Sequence, residues 1–251
     1  MSIAPSRLRG KRILVTGGAG GVGRAVLAQL IQHGARILIT DRVEADLHAT
    51  TEAARASNQA ADIHHVTADL STSQGVAQMF AQVDDWLGGL DMLIACAGVG
   101  SGPLLEMDEP AWRYVIESNL VSYVACTQGA IQRMRVSGIK DGLIILVGSI
   151  SVHIKAVGES VYNASKGGVA SFAETLRKEL IPHSIRLTLI EPGAIGSAMQ
   201  PFSPEERARR VDAYELLPPE EVADAILFAA TRGPGVDVVT LRIEPLVQKI
   251  V

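Results

Sequence analysis

The fold of this chain is decided by a glycine-rich stretch near its beginning, Thr16-Gly17-Gly18-Ala19-Gly20-Gly21-Val22-Gly23. The apolar run Arg12–Thr16 leads into this stretch, and the amphipathic segment Val22–His33 follows it. Glycine permits a sharp turn and lets a ligand approach the backbone closely. Such a loop between a strand and a helix offers backbone amides to a pyrophosphate at the positive end of the helix. We therefore predict a phosphate-binding loop whose contacts are Gly17, Gly21, Val22 and Gly23.

Short apolar runs alternate with longer amphipathic segments along the rest of the chain. The predicted strands are rich in Val, Ile and Leu, and they are Arg12–Thr16, Arg36–Thr40, Ile63–Thr67, Met92–Ala95, Leu143–Val147, Arg186–Ile190 and Val236–Leu241. The predicted helices are Val22–His33, Val43–Ser57, Gln74–Leu87, Glu109–Val136, Val161–Leu180 and Pro219–Thr231. Near-continuous apolarity is typical of strands buried on both faces. The alternation predicts an α/β fold, a single-domain, Rossmann-type doubly wound parallel sheet of about seven strands with helices on both faces.

The bulk composition argues against several classes of function. Charged residues make up 20% of the chain and its formal net charge is -4, so no basic excess points to nucleic acid or an anionic membrane. No apolar segment approaches the roughly 20 residues that a membrane span needs. Cys96 and Cys126 lie in apolar stretches and are expected to be free thiols in a reducing compartment. The pair His64-His65 has no partner at ligand spacing, so we expect no metal site. A cytoplasmic protein whose residues 1–251 form one domain is the resulting expectation.

An acidic residue stands where the second predicted strand ends. Asp41 follows Gly23 by the distance at which dinucleotide-binding folds place a carboxylate on the ribose hydroxyls of adenosine. A carboxylate there repels a 2′-phosphate, so NAD is the expected cofactor. Arg42 follows directly, and because an arginine can hold that phosphate, NADP stays an alternative.

A possible proton-transfer group lies in the segment Val161–Leu180. Tyr162 and Lys166 are four residues apart, which places them on one face of a helix. An ammonium beside a phenol favours the phenolate, so Lys166 is expected to lower the pKa of Tyr162 and make it a general acid and base. Ser149 follows the strand Leu143–Val147, at the sheet edge where open α/β folds bind ligands.

With these residues in place, the sequence resembles the short-chain dehydrogenase/reductase family along essentially its whole length. The resemblance rests on elements in the family's order: the glycine loop, Asp69 after the third strand, Asn119 within the fourth long helix, then Ser149, Tyr162 and Lys166, and finally Pro192-Gly193 after the sixth strand. One departure is visible after the fourth strand, where the family usually has Asn-Asn-Ala-Gly and this chain has Ala95-Cys96-Ala97-Gly98. The departure puts in doubt the amide hydrogen bonds that brace the sheet.

The resemblance implies a role for each of these residues. Tyr162 exchanges a proton with the substrate oxygen, Ser149 holds that oxygen, and Lys166 also binds the nicotinamide ribose, while Asn119 continues a proton relay. Further cofactor contacts are implied at Asp69, Leu70, Ala97, Gly98, Pro192, Gly193, Ile195 and Ser197. The implied activity is hydride transfer between the nicotinamide of NAD or NADP and a small-molecule alcohol or ketone.

Two segments are expected to meet the substrate. Ser151 and His153 lie in the loop after Ser149, which lines the substrate pocket in similar proteins. The segment Gly196–Leu217 follows the predicted nicotinamide turn and is interpreted as a lid, with Met199 and Phe202 on its inner face. Its charged run, residues 205–210, predicts an exposed helix face.

Two other functions stay open at this point. A non-catalytic dinucleotide-sensing or scaffold protein would typically lack Tyr162 or Lys166, and a sugar-nucleotide epimerase-like enzyme would carry more chain after Pro192.

The long helices have apolar residues on more than one side, among them Leu120, Val124 and Phe172. One side of such a helix packs on the sheet and leaves another for a symmetric partner. The family resemblance implies that the assembly is a homotetramer or homodimer.

Overall fold

The computed structural model describes residues 7–248. Within that range the strands are β1 Arg12–Thr16, β2 Arg36–Asp41, β3 Asp62–Thr67, β4 Met92–Ala95, β5 Gly142–Val147, β6 Ile185–Pro192 and β7 Thr240–Ile243. The α-helices are α1 Gly21–Gln32, α2 Glu44–Ser57, α3 Ser73–Gln82, α4 Glu109–Ile116, α5 Ser122–Val136, α6 Ser160–Leu180, α7 Pro204–Asp212 and α8 Pro219–Ala230. All strands join one parallel sheet in the order β3-β2-β1-β4-β5-β6-β7. The predicted fold class is confirmed.

The central strands are largely apolar because both faces of the sheet are covered there. On β1, Ile13 and Val15 belong to the core under α1 and α8, whereas Leu14 between them belongs to the core under α3, α5 and α6. All three side chains are fully buried. Successive side chains of a strand point to opposite faces, so a strand covered on both sides is apolar at most of its positions.

The last strand lies further along the chain than predicted. The prediction placed it at Val236–Leu241, and the structure places it at Thr240–Ile243. The amide of Val236 donates to the carbonyl of Gly233, which closes a turn. The ladder with β6 then runs from Leu189↔Thr240 to Pro192↔Ile243. Apolar residues alone therefore did not locate the strand, because its register depends on where β6 offers hydrogen-bonding partners.

Two predicted helices are interrupted. The predicted helix Glu109–Val136 contains a π-helical turn at Glu117–Val121 that separates α4 from α5. The predicted helix Gln74–Leu87 changes to a π-helical turn at Val83–Leu87 after α3. Such turns are rare, they are frequent at functional sites, and their i→i+5 hydrogen bonds leave no mark in the apolar pattern.

The sheet order creates the crevice in which the predicted site lies. Strands β1 and β4 are neighbours, and the chain leaves them in opposite directions across the sheet. The amide of Cys96, after β4, donates to the carbonyl of Thr16 at the end of β1. Loops at such a switch point line the ligand crevice of open α/β sheets. Within residues 7–248, no helix is both long and apolar enough to span a membrane.

Candidate active site

The glycine loop after β1 is packed so tightly that side chains do not fit. Gly17 has a φ of 67°, and a Cβ there would lie 2.7 Å from the backbone of Ala97. A Cβ on Gly23 would overlap the carbonyl oxygen of Gly17. A Cβ on Gly21 would approach Cβ of Ser197 to 3.2 Å. The loop therefore presents bare backbone at the start of α1, beside the segments that carry Ala97 and Ser197.

The predicted adenosine contacts lie at the ends of β2 and β3. The Asp41 carboxylate accepts hydrogen bonds from the amides of Ala19 (3.2 Å) and Arg42 (2.8 Å), which ties it to the glycine loop. The Arg42 guanidinium donates to the Tyr114 hydroxyl at 2.7 Å. The Arg42 side chain is therefore held by Tyr114 of α4.

Asp69 and Leu70 follow β3. The Asp69 carboxylate accepts from the amide and the hydroxyl of Ser71, at 3.0 and 2.7 Å, and so stabilises the turn that leads into α3. Leu70 is buried in the core under α3. The contacts of these two residues with a cofactor stay predictions.

Of the predicted proton-transfer residues, Ser149 follows the carboxyl end of β5 and Tyr162 lies in the first turn of α6. Ser149 begins a 3-10 turn, Ile150–Val152, and its Oγ accepts a hydrogen bond from the amide of Ser151 at 3.1 Å. The side chain of Ser149 lies close enough to the Tyr162 phenol to lower the pKa of that phenol. The backbone of Tyr162 is held by Ser101, whose Oγ accepts from its amide at 3.3 Å. The structure thus brings together a hydroxyl and a phenol that lie far apart in the sequence.

The pKa of Tyr162 does not follow the prediction. Burial raises the pKa of the phenol, the Ser149 side chain lowers it, and the charge of Glu159 raises it. No hydrogen bond within residues 7–248 joins Lys166 to the phenol; its Nζ donates to the carbonyl of Val147 at 2.9 Å instead. The predicted lowering by Lys166 is therefore absent here, because burial dominates and the ammonium is engaged elsewhere.

Lys166 is itself an unusual group. It is 4% exposed, and burial lowers its pKa to about 8. Its ammonium lies near the backbone of Gly98, where a Cβ would come within 3.7 Å of Nζ. The charge is therefore placed between the end of β5 and the loop after β4.

Asn119 lies within the π-helical turn between α4 and α5 and is fully buried. Its Nδ2 donates to the Val99 carbonyl and its Oδ1 accepts from the Val99 amide, both at 2.8 Å. Nδ2 also donates to the Ser165 hydroxyl at 3.2 Å. Asn119 thus clamps the loop after β4 to the helix that carries Tyr162, and its predicted part in a proton relay stays a prediction.

The loop Ala95-Cys96-Ala97-Gly98 is braced without the amide side chains of the family pattern. The Thr16 hydroxyl accepts from the amide of Ala97 at 3.3 Å, and the Thr16 carbonyl accepts from the amide of Cys96 at 3.2 Å. Burial raises the pKa of the Cys96 thiol to about 12, so the thiol is neutral and acts as a small apolar group. Thr16 therefore ties the end of β1 to the loop after β4. The sequence analysis had used Thr16 only as part of the glycine loop.

The turn after β6 is held from three sides. The amide of Gly193 donates to the Ile243 carbonyl at 2.7 Å, and Ile195 forms an isolated bridge with Leu217. The amide of Ala194 donates to Oε1 of Gln248 at 3.2 Å. Pro192 ends β6 itself. Sequence reasoning missed Gln248, because nothing in its neighbourhood marks a residue that folds back onto this turn.

The predicted substrate residues divide into two groups. Ser151 is buried, and no hydrogen-bond partner for its Oγ lies among residues 7–248. Met199 is half exposed and approaches Gly100, on the loop after β4. In contrast, His153 bonds through Nε2 to the buried carboxylate of Glu191 at 2.9 Å. Phe202 packs under the guanidinium of Arg210, whose Cζ lies 4.1 Å from the centroid of the Phe202 ring.

The predicted lid, Gly196–Leu217, contains one regular element. Helix α7 begins after Ser203, whose hydroxyl accepts from the amide of Glu206, and its Arg210 pairs with Glu206 at 2.7 Å. The exposed helix face predicted for the charged run is therefore found. Closure of the segment over a substrate stays a prediction.

The histidines of β3 are structural neighbours. His64 stacks on Trp86 with ring centroids 5.4 Å apart, and Nδ1 of His65 shares a hydrogen bond with the Thr51 hydroxyl. Burial lowers the pKa of His65, and the charges of His64, His48 and Arg55 lower it further. Across residues 7–248 there is no cluster of three or more His, Cys, Asp or Glu side chains suited to a metal ion.

Comparison with known proteins agrees with this geometry. The chain is similar to a mouse protein named dehydrogenase/reductase SDR family member 11, 29% identical over 96% of each chain. It is 33% identical to a (3R)-3-hydroxyacyl-CoA dehydrogenase from Canis lupus familiaris, over 92% of this chain and 93% of that relative. A metagenomic short-chain oxidoreductase solved in complex with NADP superposes with a TM-score of 0.81 at 26% identity, over 97% of this chain and all of that one.

The family model described as short chain dehydrogenase matches residues 11–208. That range begins just before β1 and includes the glycine loop, Ser149, Tyr162, Lys166 and the turn after β6. The chain therefore belongs to the short-chain dehydrogenase family of oxidoreductases.

Proposed function

We propose that this protein transfers a hydride between the nicotinamide of NAD(P)(H) and a carbonyl or secondary alcohol, with Tyr162 as general acid and base. The observation that carries the proposal is that the side chain of Ser149 lies close enough to the Tyr162 phenol to lower its pKa, next to the carboxyl end of β5. Two hydroxyls that converge there fit one substrate oxygen, which Ser149 holds and with which Tyr162 exchanges a proton.

The residues of this edge also fit a dinucleotide. A side chain at Gly17 or Gly23 would meet neighbouring backbone, so the two glycines keep the loop compact where it enters α1, the end of a helix that suits a pyrophosphate. Gly98 presents bare backbone beside Lys166. When bound, the nicotinamide supplies or accepts the hydride. The glycine loop would hold the pyrophosphate, Asp41 the adenosine ribose, and Lys166 the nicotinamide ribose.

The protonation state of Tyr162 suits reduction. Because burial raises the pKa of the phenol, Tyr162 carries its proton at neutral pH. In that state it donates the proton to the carbonyl oxygen as the hydride arrives at carbon. Oxidation of the alcohol requires the phenolate, so its rate rises with pH as the phenol loses its proton.

The direct test is turnover with a panel of ketones and alcohols and both cofactors, followed by the absorbance of the reduced nicotinamide. We expect reduction of at least one ketone class with NADH or NADPH. A protein that binds the reduced cofactor and turns over no carbonyl or alcohol in the panel would instead support the non-catalytic dinucleotide-sensing function.

We further propose that NAD(H) is the preferred cofactor. The Asp41 carboxylate is fixed by two amides at the end of β2, beside the glycine loop. A fixed negative charge there accepts from a ribose 2′-hydroxyl and repels a 2′-phosphate. The Arg42 side chain, the group that would hold such a phosphate, is bonded to Tyr114. The solved NADP complex of a relative is the reason to measure both cofactors.

Asp41→Asn is expected to reduce the preference for NAD(H), measured as the ratio of kcat/KM for the two cofactors, by about tenfold or more. The amide keeps an acceptor for the Ala19 amide and removes only the charge. Asp46→Asn, the same change at an exposed position of α2, is the matched control and should leave the ratio unchanged. A wild-type preference for NADP(H) would contradict the proposal.

Assembly into a homotetramer or homodimer is also proposed. Val121 and Val124, on the outer side of the α4–α5 region, are 43% and 39% exposed. Apolar side chains in such a position are typical of a face that packs on a partner. Light scattering at micromolar concentration should give a mass at least twice the monomer's 26.6 kDa, and a monomer mass would contradict this proposal.

A further inference from the structure

The ammonium of Lys166 is buried without a carboxylate partner among residues 7–248. Its hydrogen-bond partners are the Val147 carbonyl at 2.9 Å and the Tyr123 hydroxyl at 3.4 Å. A buried charge costs several kcal/mol unless neighbouring groups compensate it. The groups around Lys166 must therefore provide that compensation by dipoles and by an aromatic ring.

Tyr123 on α5 offers both kinds of group. It is 1% exposed, and its hydroxyl donates to the Val147 carbonyl at 3.0 Å. The oxygen that donates this proton also accepts from Lys166, and Nζ of Lys166 lies 4.8 Å from the centroid of the Tyr123 ring. An ammonium at that distance is attracted by the negative face of the ring.

The three groups meet at the end of β5, the strand that leads to Ser149. Val147 is the last residue of β5, two positions before Ser149. Its carbonyl receives hydrogen bonds from α5 through Tyr123 and from α6 through Lys166. A shift of the Tyr123 hydroxyl would therefore release the ammonium from one of its two partners.

The remaining neighbours of this group do not compete for the ammonium. Burial raises the pKa of the Tyr123 phenol well above its usual range, and nearby Cys96, Tyr162 and Cys126 raise it further. Burial also raises the pKa of the Cys96 and Cys126 thiols to about 12. All of these groups are neutral near pH 7, so Lys166 is the one charge among them.

We propose that Tyr123 is a positioning residue: its hydroxyl and ring hold the Lys166 ammonium at the end of β5, in the place from which Lys166 acts on the cofactor. The inference rests on the proposed function in one respect, the contact of Lys166 with the nicotinamide ribose. Tyr123 touches neither substrate nor cofactor in this assignment and acts through Lys166 alone.

Tyr123→Phe tests this inference because it keeps the ring and removes only the hydroxyl. The affinity for NADH is measured by fluorescence titration between pH 6 and 10, which needs no turnover. The pKa of Lys166 is about 8, so the wild-type affinity should fall as the pH rises through that value and the ammonium loses its charge. In Tyr123→Phe the ammonium loses the Tyr123 hydroxyl, one of its two acceptors, so the pKa of Lys166 should fall. The drop in NADH affinity should then occur at lower pH, with affinity at pH 7 reduced about tenfold.

Two controls separate positioning from a merely structural effect. Cys126→Ala removes a buried side chain from the same helix and should lower thermal stability without moving the pH dependence of NADH affinity. Lys166→Ala supplies a double-mutant cycle: Tyr123→Phe should change NADH affinity little in the Lys166→Ala background. Equal effects of Tyr123→Phe in both backgrounds, or an unchanged pH midpoint, would overturn the inference. Failure of the proposed function would appear differently, as NADH binding without turnover in the wild type.

Discussion

Tyr162→Phe is expected to lower kcat by at least about a hundredfold, because general acid and base catalysis is worth roughly 10²–10⁴ in rate. Phenylalanine keeps the ring at the start of α6 and removes the hydroxyl whose pKa Ser149 lowers. Cofactor affinity should change little, since the substitution leaves the glycine loop after β1 and Asp41 at the end of β2 untouched. Steady-state kinetics with the best ketone of the panel, together with NADH titration of the variant, measures both effects.

The pH dependence gives a second, independent signature of the same residue. In the wild type, the rate of alcohol oxidation should rise with pH as Tyr162 loses its proton. In Tyr162→Phe that rise should disappear. A folded variant that binds the cofactor and still turns over at nearly the wild-type rate would remove the proposed mechanism.

Gly23→Ala is expected to weaken cofactor binding by about fivefold to a hundredfold, since overpacking costs about 1–3 kcal/mol and each ~1.4 kcal/mol is a factor of ten. Alanine inside a helix is ordinarily stabilising relative to glycine, by about 1 kcal/mol. Here its Cβ would overlap the Gly17 carbonyl oxygen, so the loop must move. NADH titration and thermal denaturation measure the result.

Gly20→Ala is the matched control within the same loop. A Cβ on Gly20 would meet only the Gly17 carbonyl oxygen within 4 Å, at 3.3 Å, a tight contact that a small shift relieves. Its effect on NADH affinity should therefore be clearly smaller than that of Gly23→Ala. Similar affinities for the two variants would contradict the assignment of Gly23 as the position where backbone packing shapes the phosphate loop.

The order of elements was readable from the sequence because it is a local property. Strands such as β1 and β4 are near-continuous apolar runs, and their predicted bounds agree with the structure. Glycine stretches and helix ends are also local signals, since they reflect the backbone freedom of single residues. The last strand was misplaced because its bounds depend on pairing with β6, which no local pattern contains.

The residues of the candidate site were predicted from local signals of the same kind, but the interactions among them were not predicted. Tyr162 and Lys166 lie one helical turn apart, and this spacing suggested that the ammonium lowers the pKa of the phenol. Only the packing of α5 and α6 against β5 shows that Lys166 turns to Val147 and Tyr123. Likewise, His153 was expected to face the substrate. In the structure it bonds to Glu191 on β6, a partner that no local pattern indicates.

By itself, the sequence determined the parallel α/β architecture. It also gave the predictions of a phosphate loop at residues 16–23 and of Tyr162 as the proton-transfer residue. These follow from apolar periodicity and from the chemistry of single side chains. The tertiary structure alone decided that burial raises the pKa of Tyr162, that Thr16 braces the loop after β4, and that Tyr123 holds Lys166. The physical reason is that desolvation and buried hydrogen bonds depend on residues distant in the chain, which only the folded core brings within a few ångströms of each other.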